Sequence, residues 1–287
     1  MQLNTHRKRP FGSIFGRSLI QIFMISWTLM LLLPIFWLLY SSFKTSSAIR
    51  ANTFAFPKVI AWENYDFSSL SDVGLTIGIY YRNSIIISVV SLFILIFISL
   101  IASYSIAKLK FPGKNVIMII FIALLGIPVH AILIPLYYQM LSYGLLDKYL
   151  GVILPYIALF SPFTILLLQA YFREFPNELI DAAKIDGCGN LRTFFSIVLP
   201  ISKGAVSSVL IINFINIWNE FLFALVVMTN NNAKTLPVGL MGFKGTYAIE
   251  WGPLFATLVI TIIPTIIIYF IFHRNIIQGI TTGAIKG

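Results

Sequence analysis

The stretch "NELIDAAKIDGCGNLRTFFSIVLP", residues 177–200, is among the most charged and polar in a chain otherwise rich in hydrocarbon side chains, and an apolar run flanks it on either side. Pro176 and Asn177 make a helix start, with Asn177 as the N-cap and Glu178 and Asp181 placing negative charge where the helix dipole favours it. "ELIDAAKI" then reads as a helix of about two turns. Gly187 supplies the left-handed conformation that ends it, and Gly189 frees the chain to turn again. Asn190 caps a second helix, "LRTFFSIVL", which Pro200 ends or bends. The expectation is helix, tight turn, helix, with Ala182 and Ala183 giving the first helix a smooth face that another protein's backbone can approach closely. Local physics leaves a second reading open, an amphipathic loop resting on lipid and held by Lys184, Arg192, Phe194 and Phe195.

What surrounds the stretch is apolar. Of 287 residues, 58% are hydrophobic and 10% charged, whereas a soluble domain carries about 25% charged residues. With a mean hydropathy of +0.90, this is an all-α integral membrane protein. Runs of the roughly 20 residues needed to cross the hydrocarbon layer lie near Leu19–Tyr40, Ser84–Ala107, Val116–Met140, Gly151–Tyr171, Ala205–Met228 and Leu254–Phe272, which predicts six transmembrane helices. Pro128, Pro135, Pro155 and Pro162 interrupt the third and fourth, where bends are expected. "HRKRP" precedes the first run, but that run exceeds the usual signal-peptide core of about 7–15 residues and no A-x-A-like site follows, so it is expected to remain as an anchor.

Six spans place both termini on one side. With a cytoplasmic amino terminus the inner segments hold Arg7, Lys8, Arg9 and Arg17; Lys108, Lys110 and Lys114; Arg173, Lys184, Arg192 and Lys203; and Arg274 and Lys286. That is thirteen of the 20 Lys and Arg. The bias puts both termini in the cytoplasm. The formal charge of +10 then reflects topology and anionic lipid rather than nucleic acid. Residues 172–204 become a cytoplasmic loop, too long for a plain connector of about 2–8 residues. The single cysteine, Cys188, leaves no internal disulfide.

The sequence holds no G-x-x-x-x-G-K-[ST] phosphate loop, no H-E-x-x-H and no G-x-S-x-G. The chain is therefore read as no enzyme, with no cofactor and no metal site of its own. Ion-coupled carriers place acidic or histidine relays inside the membrane; here only His130 and Glu220 qualify, and each reads equally as a hydrogen-bonded structural residue.

Asp181-Ala182-Ala183, three residues, Gly187, nine residues and Ile197-x-Leu199-Pro200 together closely resemble the EAA signature of ABC importer permeases, E-A-A-x3-G-x9-I-x-L-P. Asp181 departs from it, keeping the carboxylate with a shorter reach. Further fragments resemble the carbohydrate-uptake branch in order along the chain: "ENYDF", "YRNSIIIS", "SYSIAKLKFPGKN", "IPLYYQMLSYGLLDKYLGVIL", "FREFPNELIDAAKIDGCG", "FINIWNEFLFAL" and "QGITTGAIKG". The resemblance implies a type I ABC importer permease fold, a multi-pass protein of the bacterial cytoplasmic membrane that imports a sugar, oligosaccharide or related polyol or sugar phosphate. It implies a division into 1–82 (amino terminus, first helix and outer loop), 83–272 (five-helix core with the EAA loop at 172–204) and 273–287 (cytoplasmic tail). It also implies four kinds of partner: a second permease, a pair of ATPases that bind ATP and Mg, an extracytoplasmic solute-binding protein, and lipid. The EAA loop would be the coupling helix that docks on the ATPase.

In the fifth run, Asn213, Asn216 and Glu220 are spaced i, i+3, i+7, one face of a continuous helix. With Trp218 and Asn219 they form a candidate carbohydrate pathway, since amides and carboxylates meet sugar hydroxyls and aromatic rings meet the flat C–H faces. Polar residues in membranes also tie helices together, and that reading stays open. Ser84, Ser88 and Ser91 make a small-residue stripe in the second run, read as close helix packing. Two other classes compete with the importer reading: a self-contained secondary carrier or channel, and a scaffold or receptor whose loop recruits a soluble partner.

Overall fold

The computed structural model describes residues 11–66, 76–243 and 250–284, and the basic residues Arg7, Lys8, Arg9 and Lys286, with parts of the "ENYDF" and "QGITTGAIKG" fragments, lie outside them. Among the described residues every regular element is helical: α1 Phe11–Ser41, α2 Ser46–Ala51, α3 Ile77–Lys108, α4 Lys114–Leu125, α5 Leu133–Ser142, α6 Leu150–Glu174, α7 Asn177–Ile185, α8 Asn190–Thr193, α9 Leu199–Ile201, α10 Lys203–Trp218, α11 Leu222–Val227, α12 Leu236–Gly239 and α13 Trp251–Ala284. Helix is what a membrane demands, because hydrocarbon offers no partner to an open backbone group.

Four helices are long and apolar enough to cross a membrane: α1 from Ser18, α3, α6, and α13 as far as His273. Two bent pairs bring the number to as many as six. The first pair answers to the third predicted run. There α4 and the segment Val129–Ser142 meet at 93°, with Gly126 and an extended Pro128 (φ −67°, ψ 121°) at the corner. Pro135 falls in the first turn of α5, where its missing N–H costs nothing. The expected bends do not interrupt α6, which runs through both Pro155 and Pro162 as one helix. The fifth run does not form one helix either, since α10 ends at Trp218 and α11 begins at Leu222.

The chain divides into two compact units, one of Met1–Asp66 with Ile249–Val259, the other of Phe67–Ala248 with Ile260–Gly287. In the first, Lys44 is fully buried, its ammonium donating to the carbonyls of Asn52 (2.7 Å) and Thr53 (3.2 Å) just after α2. Desolvation holds its pKa below the usual lysine value. Asn64 donates to the carbonyls of Ser42 and Lys44, both at 2.8 Å.

In the second unit α3 packs on α6 and α10, and Ser84, Ser88 and Ser91 are all buried in α3. Two apolar clusters fill the space. One joins Ile87, Leu95, Met140, Ile153, Tyr156 and Phe223. The other joins Leu100, Tyr104, Phe172, Phe175, Ile180, Phe194 and Val198. At the amino-terminal end of α3 the packing turns polar. Buried Asn83 donates to the carbonyls of Asn232 (2.9 Å) and Lys234 (3.0 Å) and accepts from the Tyr149 hydroxyl (2.8 Å). Asp147, with φ at 58°, accepts from Thr229 Oγ1 (3.0 Å) and the Asn230 N–H (2.7 Å) while its own N–H donates to the Val227 carbonyl (3.0 Å).

Candidate functional site

The EAA-like segment folds as helix, turn, helix, with two caps displaced from where the sequence places them. Pro176 is the N-cap of α7 and Asn177 its first residue. The reason is Lys108, the last residue of α3. Its ammonium donates to Asn177 Oδ1 (2.7 Å) and to the carbonyls of Phe175 (2.6 Å) and Arg173 (3.3 Å), so the Asn177 side chain faces α3 instead of capping its own helix. At the other end of α7 the Cys188 N–H donates to the Ala183 carbonyl (2.9 Å) and the Gly187 N–H to that of Lys184 (3.0 Å), with Gly187 at φ +78°. This is the paired 6→1 and 5→2 closure that calls for glycine. Gly189 needs no such freedom, being extended (φ −71°, ψ 165°), and it rather than Asn190 is the N-cap of α8.

"LRTFFSIVL" is not a plain helix: α8 runs into a π-helical turn over Phe194–Val198 and then into α9. The wider turn lets both Phe194 and Val198 enter the apolar cluster beneath α7. Ser202, buried and donating to the Val198 carbonyl at 2.7 Å, marks the 79° bend before α10.

Burial sorts the signature residues. Ala183 is 2% exposed and faces its own chain with Ile180, so only Ala182 of the expected smooth face points outward. Ile197 and Leu199 are half-buried, and Pro200 and Gly187 exposed. Asp181 is exposed and pairs with Lys184 at 3.1 Å, a surface contact worth about 0–1 kcal/mol. The outward surface of α7 carries Glu178, Leu179, Asp181, Ala182 and Ile185, the last 86% exposed.

The polar residues of α10 do not share one face. Three residues turn a helix by about 300°, enough to put Asn213 inside and Asn216 outside the packing boundary. Asn213 is buried, donating to Thr164 Oγ1 (2.9 Å) and the Val209 carbonyl (2.7 Å). Trp218 is 2% exposed, its Nε1–H donating to the Thr261 carbonyl (3.0 Å) and its ring lying against Tyr81 and Phe214. Asn219 is exposed and donates to the Ile215 carbonyl at 2.8 Å.

Glu220 falls in the break after α10, so the i+7 spacing no longer applies to it. Its carboxylate accepts the Tyr156 hydroxyl and the N–H groups of Phe223 (2.9 Å) and Ala224 (3.3 Å), acting as a cap for α11. Asn216 and Asn219 are left as the outward members of the set. His130 is exposed in the turn between α4 and α5.

Residues 95–282 match the family model described as "Binding-protein-dependent transport system inner membrane component". The chain is 33% identical over 265 residues to the diacetylchitobiose uptake system permease protein NgcG of Streptomyces coelicolor, covering 92% of this chain and 87% of that one. It is 32% identical over 284 residues to the arabinooligosaccharides transport system permease protein AraQ of Bacillus subtilis, covering 98% and 99%. In fold it is similar to a chain from the crystal structure of a bacterial ABC transporter involved in the import of the acidic polysaccharide alginate, with a TM-score of 0.78 over 94% of this chain and 99% of that one at 22% identity. The chain therefore belongs to the family of binding-protein-dependent transport system inner membrane components, multi-pass permease subunits of ABC importers.

Proposed function

We propose that this permease, together with a second homologous permease, forms the pathway by which an ABC importer admits a sugar, oligosaccharide or related polyol or sugar phosphate. The relatives named for diacetylchitobiose and arabinooligosaccharides support the carbohydrate class. In this reading both termini are cytoplasmic, 1–82 carries the first helix and outer loop, 83–272 is the transport core and 273–287 is the tail. A pair of ATPases binds ATP and Mg, and an extracytoplasmic solute-binding protein delivers the substrate. The chain itself performs no catalysis.

The observation that carries the coupling role is the way α7 is presented. Ile180 fixes one side of it to the chain's own apolar cluster, with Ala183 buried on that same side, Lys108 fixes its start, and Leu179, Ala182 and Ile185 are left outward at the tip. A short helix so anchored moves with α3 and α6, and its free side fits a groove on an ATPase. Closure of the ATPases on ATP would push α7 and switch the pathway from inward-facing to outward-facing. Asp181, Ala182, Ala183, Gly187, Ile197, Leu199 and Pro200 make this loop, Ala183 from the buried side. In the pathway reading Asn216 and Asn219 are exposed toward the substrate route, while Asn213, Trp218 and Glu220 hold the backbone behind them.

The test is purification of the tagged chain from its native membrane in mild detergent, followed by identification of what accompanies it and by transport in liposomes. Recovery of a P-loop ATPase and a second permease, with substrate-stimulated ATP hydrolysis, is the expected result. An Ala182→Trp chain should fold yet lose the ATPase. Transport by the chain alone, driven by an ion gradient without ATP, would overturn the reading in favour of a secondary carrier.

A further inference from the structure

The ends of α3, α4 and α6 enclose an open cavity of about 390 Å³ that the coupling role does not use. Its polar lining is Lys114 and Asn115, which begin α4, and Gln169 and Arg173, which lie near the end of α6; Met118 and Ile119 line the apolar side. Among the described residues no carboxylate lines it. Among the described residues neither the Lys114 ammonium nor the Arg173 guanidinium has a hydrogen-bond or ion-pair partner. Of the nearby acids, Glu174 and Glu178 act on Lys108, which is itself committed to the start of α7.

Position selects the ligand. Three apolar helices reach charged ends here, at Lys108, Lys114 and Arg173, which is the level where hydrocarbon gives way to water and where cationic side chains settle. Away from the cavity α4 leaves Val116, Ile120 and Ile122 exposed, and in an inner-membrane protein such residues meet acyl chains. A compact cavity with two unpaired cations and two amides, continuous with a lipid-facing helix, fits a phosphodiester better than a carboxylate-bearing protein segment, which would leave the aliphatic side uncovered.

We propose that Lys114 and Arg173, assisted by the amides of Asn115 and Gln169, bind the phosphodiester of an anionic phospholipid whose acyl chains lie along the exposed aliphatic face of α4. The bound lipid would brace the end of α6 from which α7 departs. The proposal rests on the inner-membrane placement of the family and not on the docking of α7 to an ATPase. It is read from lipid binding, so either can fail without the other.

The experiment is native mass spectrometry of the purified complex in mild detergent, titrated with phosphatidylglycerol or phosphatidylcholine. Phosphatidylglycerol should bind more tightly. Replacing both cations (Lys114→Gln with Arg173→Gln) should weaken it about 30-fold, from about 5-fold per charge near a membrane surface, with phosphatidylcholine binding unchanged. Lys203→Gln, which removes an exposed cation at the start of α10, should leave the affinity as it is. If the double variant does not fold, the exchanged pair Lys114→Arg with Arg173→Lys takes its place and should retain the preference. An equal loss from Lys203→Gln would mean diffuse surface attraction and overturn the site, as would an unchanged double variant, a lost preference in the exchanged pair, or displacement of the lipid by millimolar inorganic phosphate.

Discussion

The two ends of the α3 and α6 packing are held by different chemistry. Where the EAA-like loop sits, side chains such as Tyr104, Phe172, Phe194 and Val198 meet through apolar contact, and one cation, Lys108, adds the only long-range hydrogen bonds described for the start of α7. At the opposite end Asn83, Tyr149 and Asp147 knit irregular backbone at 147 and 229–234 through directed hydrogen bonds. Apolar contact is non-directional and survives a small slide of one surface over another, whereas an amide network does not. The contrast suits a lever at one end and a fixed frame at the other. Substitutions in the frame should cost folding, and substitutions in the lever should cost coupling.

The largest effect should come from the frame. A Cβ at Gly151, near the start of α6, would stand 2.2 Å from the Leu145 carbonyl oxygen, and a backbone atom cannot rotate away. Gly151→Ala should lower stability by at least about 3 kcal/mol, in the upper range for single substitutions, seen as a collapse of folded yield in detergent. Asn83→Leu follows. It orphans the carbonyls of Asn232 and Lys234 and the Tyr149 hydroxyl, at about 1–3 kcal/mol for each group that water cannot reach, and should show as a lower unfolding temperature. Normal stability in either variant would break the frame half of the comparison.

Gly187→Val should act oppositely. Among the described residues nothing lies within 4 Å of a Cβ at Gly187, so the burden is conformational, a β-branched residue held at φ +78°, of order 1–3 kcal/mol. Because the strain sits in an exposed turn, the chain should still insert and assemble. ATP-driven uptake should fall at least about tenfold while ATP hydrolysis persists, the two being compared in the same liposomes. Uptake and hydrolysis falling in parallel would instead mean a folding defect.

Gly187 was also the most legible residue of the site, since a glycine closing a short helix before a second one has a single backbone explanation. The helices were legible for the same sort of reason, apolar length. What the sequence hid were the places where a side chain redirects the backbone. Asn177 and Asn190 both look like caps, but the first is taken by Lys108 and the second is preceded by an extended Gly189. The π-turn at Phe194–Val198 carries no local signature, because it exists to seat two side chains in a core formed by distant residues. Glu220 fits a helical period only if the helix continues, and its own bonds to Phe223 and Ala224 help end that continuity. Lys108 looked like one charge in a topological bias, and Asn83 like part of a family fragment. A polar group within an apolar helix, or a lone cation at its end, was the available sign that each has a designated partner.

Lys108→Met tests whether the lever's register depends on that partner. The substitution keeps the aliphatic stem and removes three donated bonds, two of them to carbonyls at the end of α6. Bonds to a charged donor contribute about 1.5–3 kcal/mol each at most, less where water can replace them, so α7 should loosen without the core opening. Amide exchange should rise through 175–185 and uptake should fall about three- to tenfold, with exchange near Asn83 unchanged.

The smallest effect sharpens the comparison most. Asp181 stands where the family signature has an acid, yet among the described residues it meets only Lys184, on the surface. If the carboxylate matters for the chain's own fold, Asp181→Ala should destabilise it; an exposed i,i+3 pair predicts less than about 0.5 kcal/mol. Thermal unfolding of the isolated permease should therefore be unmoved by Asp181→Ala. If the acid instead reaches a group on the ATPase, coupled hydrolysis in the assembled importer should drop and Asp181→Glu should restore it. A stability loss in the isolated chain would assign the acid to the loop itself, and an unchanged importer would confine the signature's role to Ala182, Gly187 and the buried side of α7.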